Sequence, residues 1–259
     1  MFVGFNLSTN NNFEDYKYEG ERIFESNKAE ITQSLEKYLD AKGKIDGTML
    51  QSNWFPQIEC DIFLSHAHKD EGLAKGLAGW LKQMFGLKVF IDSCVWGYSL
   101  ELQKSLDDTY NEIEKGKIPK VYDYQKVLYS TSHVHMMLST ALTMMMDKTE
   151  SVFLLNTPNV ITTKNTIEHT ESPWLYHEIA MTQLVRKRDL SEYRNTELLK
   201  KGYYTESSLN IKYKVDTSHL HDLNQTDLEI WAKDFCGNSN KEYPLDTLYE
   251  NKKIVEFTY

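Results

Sequence analysis

The sequence predicts an α/β fold built on a parallel sheet, and three observations carry that expectation. Asp61-Ile62-Phe63-Leu64-Ser65 and Leu87-Lys88-Val89-Phe90-Ile91 are apolar runs of strand length. Between them Leu73, Leu77, Trp80, Leu81 and Met84 recur at helical period, and Gly86 stops the helix. This strand, helix, strand order implies a parallel pair joined by a right-handed crossover. Ser151-Val152-Phe153-Leu154-Leu155-Asn156 is a third buried strand. In such sheets ligands gather outside the carboxyl ends of the strands. That rule points to Ser65–Asp70 and to Asp92–Ser99.

Composition excludes several classes. A net charge of −9 argues against a nucleic-acid surface, which needs clustered Lys and Arg. Arg186-Lys187-Arg188 and Lys200-Lys201 read as solvated helix ends. No apolar run reaches the ~20 residues that span a bilayer, and the first residues lack the basic-then-apolar pattern of a secretory leader. Cys60, Cys94 and Cys236 are three cysteines without CxxC spacing, which suggests a reducing, cytoplasmic compartment.

Taken in order, residues 1–25 read as irregular. Ser26 caps a helix to about Lys42 with an apolar stripe of Ile31, Leu35, Tyr38 and Leu39. Residues 1–57 therefore form an N-terminal arm with one amphipathic helix. The α/β domain spans 58–215. Asp70 caps its first helix. Asp92–Ser99 is a loop, and Ser99 caps the next helix, holding Leu102, Leu106 and Tyr110. Residues 111–138, with Gly116, Pro119 and a Tyr-rich segment, read as an insertion. Helix returns at Thr140–Met146, where the methionines fill core gaps. Residues 157–171 are a polar loop. Leu209–Val215 alternates as a half-exposed strand does. Residues 216–259 form a C-terminal helical extension, with a capping box at Thr226–Glu229, Gly237 closing that helix, and a short edge strand at Ile254–Phe257.

The chemistry centres on Ser172-Pro173-Trp174-Leu175-Tyr176-His177-Glu178. Ser172 is a good N-cap, and Pro173 fits the first helical position, where no amide donor is needed. Trp174 and Glu178, four apart, share a helical face. A carboxylate beside an aromatic wall near a helix start is a plausible catalytic pairing. His66/His68, His133/His135 and His219/His221 form three H-x-H pairs, but none has a third ligand nearby or sits in HExxH, so no metal is expected. No phosphate loop, GxGxxG or G-x-S-x-G elbow is present.

The order of these segments resembles the Toll/interleukin-1 receptor (TIR) family. Asp61–His66 with Asp70 is similar to its first strand; Phe90-Ile91-Asp92, Gly97, Leu100 and Leu106 to its second strand, BB loop and following helix; Val152–Leu155 with Ser172, Trp174 and Glu178 to its third strand and S-x-W-x-x-x-E segment. The match covers about residues 58–188. No proline precedes Gly97, and Leu175 stands where a Cys is usual. The resemblance implies a flavodoxin-like, doubly wound parallel sheet.

It also implies an activity. Many TIR domains cleave NAD between nicotinamide and ribose, so Glu178 is expected to be the catalytic carboxylate and NAD the substrate, with no cofactor. Nicotinamide departs from a cationic ring without strong acid help, and a fixed anion stabilises the oxocarbenium-like ribose. Ser65, His66, Asp92, Trp96, Ser99 and Trp174 are expected to line the substrate site, with Trp96 stacking on a base and Trp174 excluding water. The product is ADP-ribose or a cyclic ADP-ribose isomer, made as a signal for a partner effector, as in stand-alone proteins of the Thoeris anti-phage type. Self-association through TIR surfaces, with one BB loop completing a neighbour's site, is expected. The main alternative is a non-catalytic TIR adaptor; an N-ribosyl transferase of related topology is a third reading.

Overall fold

The computed structural model describes residues 1–28, 45–55, 57–159, 162–164, 167–169, 172–193, 217–237 and 243–255. Its strands are β1 (Val3–Leu7), β2 (Ile62–Ser65), β3 (Val89–Ile91), β4 (Ser151–Leu155), β5 (Thr162–Lys164), β6 (Ile167–His169) and β7 (His221–Leu223). Five of them form one all-parallel sheet in the order β3-β2-β4-β1-β7. The three apolar runs expected as strands are β2, β3 and β4, and each is fully buried. A parallel sheet needs cover on both faces, which is why these strands are continuous hydrophobic runs rather than alternating ones.

Eight α-helices supply that cover among the described residues: α1 (Lys17–Lys28), α2 (Gly47–Trp54), α3 (Glu71–Phe85), α4 (Ser93–Leu106), α5 (Tyr124–Lys148), α6 (Pro173–Leu184), α7 (Gln225–Cys236) and α8 (Pro244–Asn251). From β2 the chain crosses through α3 outward to β3, then returns through α4 and α5 to β4 on the other side of β2. Right-handed crossovers in opposite directions must cover opposite faces. The packing agrees: α3 lies on α1 and α7, while α5 lies on α2, α4 and α6. The arrangement is that of an α/β protein with an all-parallel five-strand sheet, the general build of flavodoxin-like folds, although β1 from the N-terminus lies between β4 and β7. No helix among the described residues is long and apolar enough to cross a membrane.

Several readings of the sequence need correction. Residues 1–25 are not irregular. They supply β1, which sits between β4 and β7 with Phe5 opposite Phe153, and then α1. The expected N-terminal arm thus contributes a strand to the middle of the sheet. Gly4 and Asn6 break the apolar run, so its burial comes from two flanking strands rather than from its own pattern. The C-terminal extension is likewise not purely helical, since β7 forms the sheet edge. Its capping box is Asn224 with Asp227, not Thr226 with Glu229, and Ile254 and Val255 are not in a strand. The insertion is shorter than expected. Asp123 caps α5, accepting from the Gln125 and Lys126 amides, and one helix of 25 residues runs through to Lys148. The polar stretch 157–171 contains the β5–β6 hairpin. Ser26, expected to cap a helix running to about Lys42, lies inside α1 instead; the rest of that expected helix and the Leu209–Val215 strand lie outside the described residues.

The crossing of α1 over α3 sets a steric test. A Cβ on Gly79 of α3 would meet the Tyr16 carbonyl oxygen at 2.0 Å, and one on Gly20 of α1 would meet the Lys75 carbonyl oxygen at 1.8 Å. Backbone therefore touches backbone at this crossing. Gly79→Ala is expected to cost about 2–3 kcal/mol through overpacking, lowering Tm by roughly 5–10 °C. Gly97, expected in a loop, lies inside α4, and a methyl group added there would meet nothing within 4 Å. Gly97→Ala is expected to raise stability by up to about 1 kcal/mol. Thermal melts of both variants check the packing and the helix assignment together.

Candidate functional site

The loops after β2 and β4 flank the point where the sheet's connectivity reverses, and polar side chains converge there as the strand-end rule predicts. Ser65 is the last residue of β2, His66 follows it, and Asp92 follows β3 directly. Glu178 arrives from α6, 113 residues further along the chain than Ser65. The Ser65 hydroxyl donates to Glu178 Oε2 at 2.6 Å, and His66 Nδ1 stands 2.6 Å from Asp92 Oδ1. Glu178 is 1 % exposed, and Asp92 and His66 are fully buried.

Local structure explains how each group is held. Ser172 caps α6, its hydroxyl accepting from the Leu175 amide, with Pro173 in the first turn as expected. His177 Nε2 lies 3.2 Å from Thr143 Oγ1 on α5, and Thr182 Oγ1 lies 2.7 Å from His219 Nε2. These two contacts bracket Glu178 and fix the rotation of α6. Asp92 is the residue before α4, yet its side chain makes no cap bond and turns to His66 instead. Asp70 also fails to cap its helix. It accepts from Thr157 Oγ1 and from Asn159 Nδ2 at 2.7 Å, tying the loop after β2 to the loop after β4. Sequence reasoning missed that clasp, although the strand-end rule applied to β4 as much as to β2.

Burial dominates the electrostatics. Desolvation raises Asp92 and Glu178 well above the ordinary carboxylate range, and Glu178 is raised further by the Asp92 charge. Each carboxyl acts on the other unequally, Asp92 raising Glu178 while Glu178 lowers Asp92, which favours the proton on Glu178. Desolvation lowers His66 to about 4. Two carboxylates so placed repel, so a proton must be shared within the cluster. The site holds a protonated acid and a neutral imidazole, closed from water.

Of the expected site residues, the structure brings together Ser65, His66, Asp92 and Glu178. Ser99 does not join them. It is buried inside α4, two turns and about 10 Å along the helix from Asp92 at 1.5 Å per residue, and it is not a cap. The Asp92–Ser99 segment is helix rather than loop from Ser93 onward. Trp96 falls in the first turns of α4, and its side chain lies outside the described residues. Trp174 is half-buried and packs edge-on against His135 of α5, with ring centroids 5.4 Å apart. No group of three or more metal-ligating side chains occurs among the described residues. A cavity of about 310 Å³ opens at the opposite, amino-terminal end of β3, between Ile23, Asn27, Ile58 and Val89; it has no part in this cluster.

The cluster's protonation has a measurable consequence. A folded carboxyl raised above its unfolded value of about 4 keeps a proton that the unfolded chain has lost, so its contribution to stability falls as pH rises through the folded pKa. His66, lowered to about 4, acts oppositely, with stability lost as pH drops from its unfolded value of about 6.5. Asp92→Asn removes one acid and leaves the imidazole. The Tm of Asp92→Asn minus that of the native chain is expected to grow steadily from mildly acidic to mildly alkaline pH. A constant difference would show that Asp92 adds no retained proton to the folded cluster.

No family model, curated protein or solved structure matches this chain.

Proposed function

We propose that the chain is a TIR-type enzyme that cleaves the nicotinamide–ribose bond of NAD, with Glu178 as the catalytic carboxylate. One observation supports this reading above the others: Glu178 meets Ser65 and the Asp92–His66 pair at the carboxyl tips of adjoining parallel strands, where α/β sheets bind ligands. The reaction asks little of the protein beyond a fixed anion. The C1′–N bond breaks with both electrons going to the nicotinamide nitrogen, which leaves neutral. The ribose carries the positive charge, and an ionised Glu178 stabilises it. Water adding to C1′ and losing a proton gives ADP-ribose; an adenine nitrogen or a hydroxyl of the same molecule gives a cyclic isomer, a signal for a partner effector in anti-phage defence. Ser65 positions the carboxylate, and Trp174 screens the site.

The carboxyl is closed over in this state, so NAD reaches it only when α6 parts from the loops after β2 and β4. Hydration on opening lowers the carboxyl pKa and supplies the ionised form. The same burial favours a second reading, a non-catalytic TIR adaptor in which the cluster is structural and the surface docks similar modules.

Incubation with NAD and chromatography of the products separates the two. The native chain is expected to release nicotinamide, and Glu178→Gln, which keeps the Ser65 contact, to lose at least ~100-fold in rate. Equal rates in the two proteins would remove Glu178 from catalysis, and a native chain that leaves NAD intact would favour the adaptor.

A further inference from the structure

The first three turns of α5 run past the core. Its buried residues begin only at Val134, ten residues into the helix. The overhang carries a hairpin with it. Ile113 N donates to Val121 O at 2.9 Å, Asp123 N donates to Asn111 O at 2.8 Å, and Glu112 bridges Tyr122. Antiparallel pairing places Ile113 and Val121 opposite each other on one side of this ladder. Tyr124 and Leu128 follow one turn apart, with Tyr129 beside them and Ile118 at the hairpin tip. These six apolar residues are between 48 % (Leu128) and 93 % (Ile118) exposed.

Their exposed area is roughly 600–700 Å², taking ~200 Å² for a whole aromatic side chain and less for an aliphatic one. Summed over these residues, that area approaches the ~800 Å² that each partner gives a stable interface. The surface is also held rigid from beneath. Buried Asn111 donates to Asp107 Oδ1 at 2.6 Å and to Ser130 Oγ at 2.9 Å, and Gln103 donates to the same two atoms. A preorganised surface loses little freedom on association.

We propose that this hairpin and the amino-terminal half of α5 form the interface between two copies of the chain. Charge identifies the occupant. The chain carries −9 overall, so most surfaces of two copies repel. Residues 110–129 hold four lysines against three acids, and Lys117 and Lys120 are paired to Glu114 and Asp108 at 2.8 Å each. The patch is therefore a near-neutral window with mixed-sign edges, which suits an isologous two-fold contact of a surface with itself. It is distinct from Asp92–Ser99, and it does not rest on the proposed activity.

Sedimentation velocity of the full chain across the micromolar range tests this. The native protein is expected to dimerise reversibly. Tyr124→Glu and Ile118→Asp, both at highly exposed positions, are each expected to weaken dimerisation at least ~10-fold with unchanged circular dichroism. Ile230→Glu, at a comparably exposed apolar position on α7, is expected to leave it unchanged. A native chain that stays monomeric, as it would if the patch served a foreign protein, overturns the proposal. So does a dimer indifferent to both variants, or one weakened equally by the control.

Discussion

Two carboxyl groups closed from water at the tips of neighbouring strands cannot both carry charge, and the loops and helices around them are arranged accordingly. Asp92 gives up its position as a helix cap to face His66. Ser65 spends its hydroxyl on Glu178 rather than on backbone. Burial holds the imidazole neutral while raising both acids, so a shared proton is the least costly state. An isolated ion in this place would cost several kcal/mol; a proton held among three groups removes most of that cost. The cluster then behaves as one titrating unit rather than as three side chains.

The sheet makes that cluster possible. β2 pairs with β3 on one side and β4 on the other, and the two crossovers leave in opposite directions. A gap must open above the strand where they diverge. Asp70, Thr157 and Asn159 tie its two rims together, and α6 closes it from above, held by His177 against α5 and by Thr182 against His219. Function, on the proposed reading, is the reverse of this closure: water and substrate enter where the fold now excludes them, and the carboxyl that burial protonates becomes the anion that the ribose needs.

How legible this was in the sequence differs sharply between elements. The runs at 62–65, 89–91 and 151–155 were readable because strands buried on both faces must be continuously apolar. The Ser172-Pro173 start of α6 was readable because capping chemistry is local. Local signals misled where tertiary contacts outweighed them. The Trp-Gly-Tyr-Ser sequence at 96–99 looks like loop, yet it is helix, because Cys94, Val95, Tyr98 and Leu102 bury in the hydrophobic core. Asp70 and Ser99 look like caps, yet the Asp70 carboxyl found partners in a distant loop and Ser99 lies inside α4.

By itself the sequence determined the α/β class, three strands of the parallel sheet, the helix that carries Glu178, and the strand ends at which polar groups gather. These follow from periodicity, burial and caps, all of which act within a few residues. Only the tertiary structure decided that Val3–Leu7 lies between β4 and β7, that Glu178 meets Ser65 across 113 residues, and that Ser99 stands apart from them. Strand neighbours and buried proton sharing are set by contacts between segments far apart in the chain, whose energies no local pattern encodes.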